Sequence, residues 1–392
     1  MIIEPKIRGF ICTTAHPVGC ARNVHEQIQK AQQIKSGVTK RVLVLGASTG
    51  YGLSSLITAA FSCRAKTIGV SFDRPAHSEK KRTATAGWYN MAAFAQAARD
   101  AGLEHHTVIG DAFSDESKDK VIECIKNTMG KVDAVIYSLA SPMRTDPLTG
   151  QRYQSVIKPI GKPYTTKSLN MNSWKVETVE LAPASDEEVQ ATIKVMGGED
   201  WKRWMEKLSA SGVLEEDYLT LAFDYTGPTL THPIYKDGTI GQAKKDLLET
   251  AKQLNHGGRS FLSVNKAVVT QASAAIPAVP LYIALLFRTM KKKGLHEDCI
   301  DQMIRMFQRI GSGKLALDEE GRIRMDDWEM QPDVQQEVMQ NWQDVTDENI
   351  DQLADLNGFR DDFARLFGFG RGDVNYAEDV DPAVDIPGAI LL

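Results

Sequence analysis

Gly46-Ala47-Ser48-Thr49-Gly50-Tyr51-Gly52 lies between a compact apolar run and a segment of helical pattern. Glycines there allow a tight turn and let the backbone approach a pyrophosphate at the helix N-terminus. The spacing is Gly-x3-Gly-x-Gly, not Gly-x-Gly-x-x-Gly. A ligand-free turn is the competing reading; the flanking strand and helix favour a dinucleotide site. Asp73 ends the next apolar run. A carboxylate there accepts from a ribose 2′-hydroxyl and repels a 2′-phosphate, so NADH is expected over NADPH. Arg74 works against that preference, because an arginine can accept the phosphate. Asp111-Ala112 and Leu139-Ala140 end later strands. Their position suits them to bracket the adenine and to lie against the nicotinamide ribose.

A reductase also needs a donor where negative charge develops on oxygen, and a phenol beside an ammonium serves that purpose. Tyr-x3-Lys, the usual pair on one helix turn, is not found in the expected region. Instead Tyr235 precedes the pair Lys244-Lys245 with eight residues between Tyr235 and Lys244, and Tyr225 stands ten positions upstream of Tyr235. On spacing alone, a half-buried loop tyrosine beside Pro233 competes with a catalytic one. Lys245 reads equally as a solvated helix lysine.

These residues need a scaffold, and the apolar pattern supplies one. Strands are expected at 41–45, 66–72, 106–110 and 132–138, separated by helices at 53–61, 88–101 and 118–129. A further helix is expected at 24–35. Such alternation predicts an α/β fold, a Rossmann-type doubly wound parallel sheet. From Ser141 the rhythm breaks, and 142–182 reads as loops with a hairpin. Ser185-Asp186-Glu187-Glu188 has capping-box spacing, with a helix through Trp201 and Trp204 to Leu208 beyond it. A strand at 218–225, a helix at 241–254 and a strand at 259–269 return to the sheet. Residues 295–366 read as amphipathic helices around a turn at 318–321. The apolar stretch 272–287 carries Pro277 and Pro280, which favours a kinked helix or movable lid over a plain core helix. Gly368-Phe369-Gly370-Arg371-Gly372 follows a charged helix rather than a strand, so it reads as a loop. One enlarged domain spanning 1–392 is expected. It comprises an N-terminal segment (1–40), a dinucleotide-binding half (41–140), a catalytic and substrate-binding part (141–290) and a helical C-terminal extension (291–392).

With 42% apolar and 25% charged residues the chain is globular, and its net charge of −5 gives no electrostatic reason to bind nucleic acid or an anionic membrane. Five scattered cysteines without a CxxC argue against a disulfide framework and a zinc site. No metal motif is found. His16 and His105-His106 lack ligand partners at the right spacing and read as structural. No apolar run reaches membrane length, and the N-terminus lacks a signal-peptide core. A cytoplasmic protein is expected.

Motifs along the whole chain carry a resemblance. They include Arg8-Gly9-Phe10, Ala15-His16-Pro17, Gly46–Gly52, Thr85-Ala86-Gly87-Trp88-Tyr89-Asn90 and Asp111-Ala112-Phe113-Ser114. Tyr137–Pro142, Val195–Trp201, Thr239–Asp246, Val268–Ser273 and Arg324–Asp327 continue the set. The chain resembles the FabV-type enoyl-acyl carrier protein reductases and the related trans-2-enoyl-CoA reductases. The resemblance implies an enlarged short-chain-dehydrogenase-like fold. It implies Tyr235 and Lys244 as the catalytic pair and Tyr225 as a substrate contact. For NADH it implies Gly46, Ala47, Ser48, Thr49, Gly50, Tyr51, Phe72, Asp73, Asp111, Ala112, Leu139, Ala140, Lys244, Val268, Val269 and Thr270. Two departures stand out: Asp73 replaces the family's usual Glu, and 254–258 looks short.

The implied reaction reduces the trans-2 double bond of an enoyl thioester, carried by acyl carrier protein or CoA, in a protein expected to be a monomer. Tyr235 donates to the thioester oxygen, with Tyr225 a second contact, while Lys244 holds the cofactor ribose and lowers the phenol's pKa. A nucleotide-sensing protein without chemistry and a carbonyl reductase are the alternatives. The first needs no Tyr235/Lys244 pair, and the second turns over a ketone.

Overall fold

The computed structural model describes residues 1–77, 79–255, 259–313 and 315–392. Eight strands form one sheet: β1 (Arg41–Leu45), β2 (Lys66–Ser71), β3 (His105–Ile109), β4 (Val132–Tyr137), β5 (Leu214–Asp224), β6 (Arg259–Val264), β7 (Ile323–Arg324) and β8 (Ile390–Leu391). Their order is 7-6-5-4-1-2-3-8, and every neighbouring pair is parallel. The order reverses between β1 and β4, which opens a crevice at the carboxyl ends of those strands. Alternation along β1 shows why both faces are covered: Val42 and Val44 enter one apolar cluster, Leu43 and Leu45 the other.

The helices are α1 (Pro17–Gln32), α2 (Gly50–Ile57), α3 (Ala86–Asp100), α4 (Asp115–Thr128), α5 (Asp186–Met196), α6 (Glu199–Ala210) and α7 (Thr239–Leu254). One-turn α8 (Gln271–Ala274), α9 (Val279–Lys292), α10 (Cys299–Gly311), α11 (Pro332–Asp344), one-turn α12 (Ile350–Leu353) and α13 (Leu356–Arg365) follow. The capping box at Ser185 is present, with the hydroxyl accepting from Glu188 N–H and the Glu188 carboxylate accepting from Ser185 N–H. The helix expected through Trp201 is broken at Gly197-Gly198, where Thr250 of α7 packs so closely that a Cβ at residue 198 would stand 2.0 Å from its hydroxyl oxygen.

Several expectations are corrected. α1 begins at Pro17 rather than 24, because His16 caps it through Nδ1, which accepts from Gly19 N–H. The first strand after α7 stops at Val264, so 265–269 is not strand. Residues 142–182 form two hairpins, Met143–Thr145 with Arg152–Gln154 and Tyr164–Asn170 with Lys175–Leu181. The stretch at 272–287 divides at Pro277 and Ala278, and Ala278 has φ +66°. Beyond that break α9 is buried along nearly its whole length, which is a core helix and not a lid. Lys291, Lys292 and Lys293 at its end pair with Asp355, Glu337 and Asp333, fastening α9 to the C-terminal helices. β8 was not foreseen; two residues of unremarkable pattern pair there with Val108 and Ile109. Residues 256–258 of the short-looking 254–258 segment lie outside the described residues. Among the described residues, no helix is long and apolar enough to cross a membrane.

Candidate active site

The glycine loop sits at the carboxyl end of β1. Gly46 has φ +82°, and a Cβ there would stand 2.3 Å from the Ser138 carbonyl oxygen, so only glycine allows β1 and β4 to close on each other. Gly52 is as constrained, since a Cβ would stand 1.9 Å from the Gly46 carbonyl oxygen. Thr49 precedes α2 without capping it through its side chain. The first N–H groups of α2 therefore keep no side-chain acceptor and suit an anion.

Asp73 stands at the end of β2. One carboxylate oxygen accepts from the Thr85 hydroxyl at 2.7 Å, while Oδ2 is buried and has no partner among the described residues. Gly87 at the start of α3 makes room for this carboxylate and for Ser48: a Cβ would stand 2.4 Å from Asp73 Oδ1 and 2.6 Å from Ser48 Oγ. A buried orphan acceptor is costly unless a ligand donates to it, and a ribose hydroxyl is such a donor. Phe72 beside it is 78% exposed, an open aromatic face for a base. Asp111 and Ala112 follow β3, and Ala112 is held from behind. Its carbonyl accepts from buried Lys118 at 3.0 Å and from Trp204 Nε1 at 3.0 Å. Lys118 in turn pairs with buried Asp200 at 2.9 Å. Leu139 packs at the Gly46 turn, whereas Ala140 is exposed. Val268 and Val269 line a cavity with Thr49 and Gly50. Thr270 uses its hydroxyl to cap α8 by accepting from Ser273 N–H at 3.0 Å, and its methyl lies 3.8 Å from where a Gly50 Cβ would be. Thr49, Gly50, Val268 and Val269 thus share one cavity, while Asp73, Asp111, Ala112, Leu139 and Ala140 follow the carboxyl ends of neighbouring strands.

The two tyrosines lie together. Tyr225 and Tyr235 pack edge to face with ring centroids 4.8 Å apart. Among the described residues the Tyr235 hydroxyl meets no hydrogen-bond partner. Lys244 comes from the first turns of α7 and donates to the Phe223 carbonyl at 2.7 Å. Phe223 also packs on Tyr51, centroids 5.4 Å apart, which links the lysine to the glycine loop. Lys245 is exposed, consistent with a solvated lysine.

The electrostatics differ from expectation. Burial, then the Asp224 carboxylate, hold the Tyr235 phenol above its ordinary pKa, so it is not lowered by Lys244. Burial pushes the Lys244 ammonium down, with Asp224 opposing. Tyr225 is also committed elsewhere: its hydroxyl donates to Glu329 at 3.3 Å. Sequence reasoning missed Asp224, Gly87, the Lys118–Asp200 pair and Glu329. Asp224 had a signal, a carboxylate closing an apolar strand run as Asp73 does. Glu329 had none, because it arrives from more than a hundred positions downstream of Tyr225.

The comparisons agree along the chain. Residues 82–310 match the family model described as the trans-2-enoyl-CoA reductase catalytic region, and 2–78 match its NAD(P)H binding domain. The chain is 53% identical to the trans-2-enoyl-CoA reductase [NADH] of Ruminiclostridium cellulolyticum, covering 99% of this chain and 100% of that one. It is 52% identical to the enoyl-[acyl-carrier-protein] reductase [NADH] FabV of Aeromonas salmonicida, covering 98% of each. The crystal structure of Treponema denticola trans-2-enoyl-CoA reductase in complex with NAD superposes with TM-score 0.93 at 49% identity, covering 97% of this chain and 98% of that one. Residues 317–380 match a model described as an enoyl reductase FAD binding domain. That segment has no free glycine turn for a flavin diphosphate at Gly358 or Gly368. Two of its glycines are filled by protein, since a Cβ at Gly368 would stand 2.5 Å from the His16 carbonyl oxygen and one at Gly358 would stand 2.3 Å from Asp355 Oδ2, whereas a Cβ at Gly321 or Gly372 would meet nothing within 4 Å among the described residues. Asp355 itself caps α13, and Asp327 faces Arg305 and Arg309. From the glycine crevice to the paired tyrosines, fold and matches converge: the chain belongs to the trans-2-enoyl-CoA reductase family, which its FabV relatives share.

Proposed function

We propose that this protein reduces the trans-2 double bond of enoyl thioesters with NADH, as the reductive step of acyl-chain elongation. The observation that carries the reading is the pair of packed tyrosines beside a crevice whose orphaned Asp73 oxygen calls for a ribose hydroxyl. Bound in that crevice, NADH supplies the hydride that the β-carbon receives. Tyr235 keeps its proton and donates to the thioester oxygen as charge grows there. Lys244 spends one N–H on Phe223 and has two left to hold the cofactor ribose. The α-carbon takes its proton from Tyr235 or from water. Asp73 selects NADH; Phe72, Asp111, Ala112, Leu139, Ala140 and 268–270 enclose the rest of the cofactor.

The thioester is carried by CoA or acyl carrier protein. The protein is read as a monomer working as one enlarged domain. Five free cysteines accord with a cytoplasmic setting. The test is to mix protein, NADH and crotonyl-CoA and follow the near-ultraviolet absorbance of NADH. Consumption is expected. Intact NADH binding without consumption would leave a nucleotide sensor, and turnover of a ketone alone would leave a carbonyl reductase.

A further inference from the structure

Glu329 stands between α10 and α11, is 0% exposed, and has no place in the chemistry described so far. Its Oε1 accepts from Tyr225 at 3.3 Å and from Tyr282 of α9 at 2.5 Å. Its Oε2 accepts from the Ala267 N–H at 2.7 Å. Tyr282 is fixed in turn by Gln335, whose Nε2 donates to its hydroxyl at 3.1 Å. Buried Lys266 supplies the opposing charge. One carboxylate therefore ties the substrate-side tyrosine to the residue that leads into 268–270. A phenol has a single proton to donate. While Tyr225 donates to Glu329, it has none for a thioester oxygen, whereas the Tyr235 hydroxyl is uncommitted.

We propose that Glu329 is a positioning residue for enoyl reduction: it holds Tyr225 and the 267–270 backbone in one register and leaves Tyr235 as the donor to the substrate. The inference rests on the enoyl reductase reading. Wild-type turnover of crotonyl-CoA tests that reading, and a double-mutant cycle tests Glu329.

The cycle compares Glu329→Gln, Tyr225→Phe and the double variant, with kcat/KM for crotonyl-CoA and the Kd for NADH from its fluorescence. Glutamine keeps the volume and loses the anion that three donors face. Glu329→Gln is expected to lower kcat/KM about tenfold or more, the cost of a buried charge-assisted hydrogen bond. In the Tyr225→Phe background the same substitution should cost several-fold less, because the Tyr225 share of the effect is already gone and only the share through Ala267 and Tyr282 remains. An unchanged wild-type background, or the full loss in both backgrounds, overturns the proposal. So does a loss carried wholly by the NADH Kd, which would place the effect in the cofactor backbone alone. Should Glu329→Gln melt below the assay temperature, Glu329→Asp takes its place, retracting the carboxylate by one methylene, with the same expectations.

Discussion

Tyr235 and Asp73 each have one proposed task, and a single substitution tests it. Tyr235→Phe deletes the hydroxyl proposed as oxyanion donor and keeps the ring. We expect kcat/KM to fall by roughly 10²–10³ with the NADH Kd unchanged. Wild-type-like turnover would remove the phenol from the chemistry. Because burial raises the Tyr235 pKa, the hydroxyl stays protonated to higher pH than a free phenol. The kcat/KM of the wild type should therefore show no loss from tyrosine ionisation up to about pH 9, as a pH profile would reveal. Asp73→Ala takes away the carboxylate proposed to accept from the ribose and to repel a 2′-phosphate, with exposed Arg74 left beside it. The NADPH-to-NADH ratio of kcat/KM should rise about tenfold or more. An unaltered ratio would show that Asp73 does not read the ribose.

The strand–loop–helix unit of β1, the glycine loop and α2 works through contacts that leave no space for a side chain. Gly52→Ala would drive a methyl to 1.9 Å from the Gly46 carbonyl oxygen. Overpacking of this kind costs about 1–3 kcal/mol, and here it displaces the backbone that must face the pyrophosphate. NADH affinity, titrated by fluorescence, should fall about tenfold or more. Full affinity would mean that the pyrophosphate sits elsewhere. The Lys118–Asp200 pair shows the same logic after β3. α4 and α6 use a buried ion pair and a Trp204 N–H to set the Ala112 carbonyl, and so aim the 111–112 loop.

Distant parts of the chain complete both halves of the crevice. The tail returns to the edge of the sheet, where Leu392 N–H donates to Ile109. On the way, Val384 and Pro382 carbonyls accept from Trp88 and Tyr89 at the start of α3, the helix that backs Asp73. Removing 381–392 leaves those buried donors without acceptors, at about 1–3 kcal/mol each. The melting temperature should fall by about 5 °C or more, and NADH binding should weaken with it. A truncated protein with wild-type melting and affinity would show that the tail supports neither. At the other end of the sheet the C-terminal helices deliver Glu329 to Tyr225.

Local pattern was enough for much of this. The four strands and three helices from 41 to 138, the tight glycine turn between β1 and α2 and the Ser185 capping box were all legible, because each depends on residues close together in sequence. The Tyr235–Lys244 spacing needed the family likeness to stand out, since a loop tyrosine looks the same on paper. Tertiary structure alone decided that Tyr225 donates to a glutamate far along the chain, that burial and Asp224 hold the Tyr235 phenol above its ordinary pKa, and that the last residues add the edge strand of the sheet. Burial and charge pairing act through space. A chain folded back on itself brings together groups whose separation in sequence carries no trace of their contact.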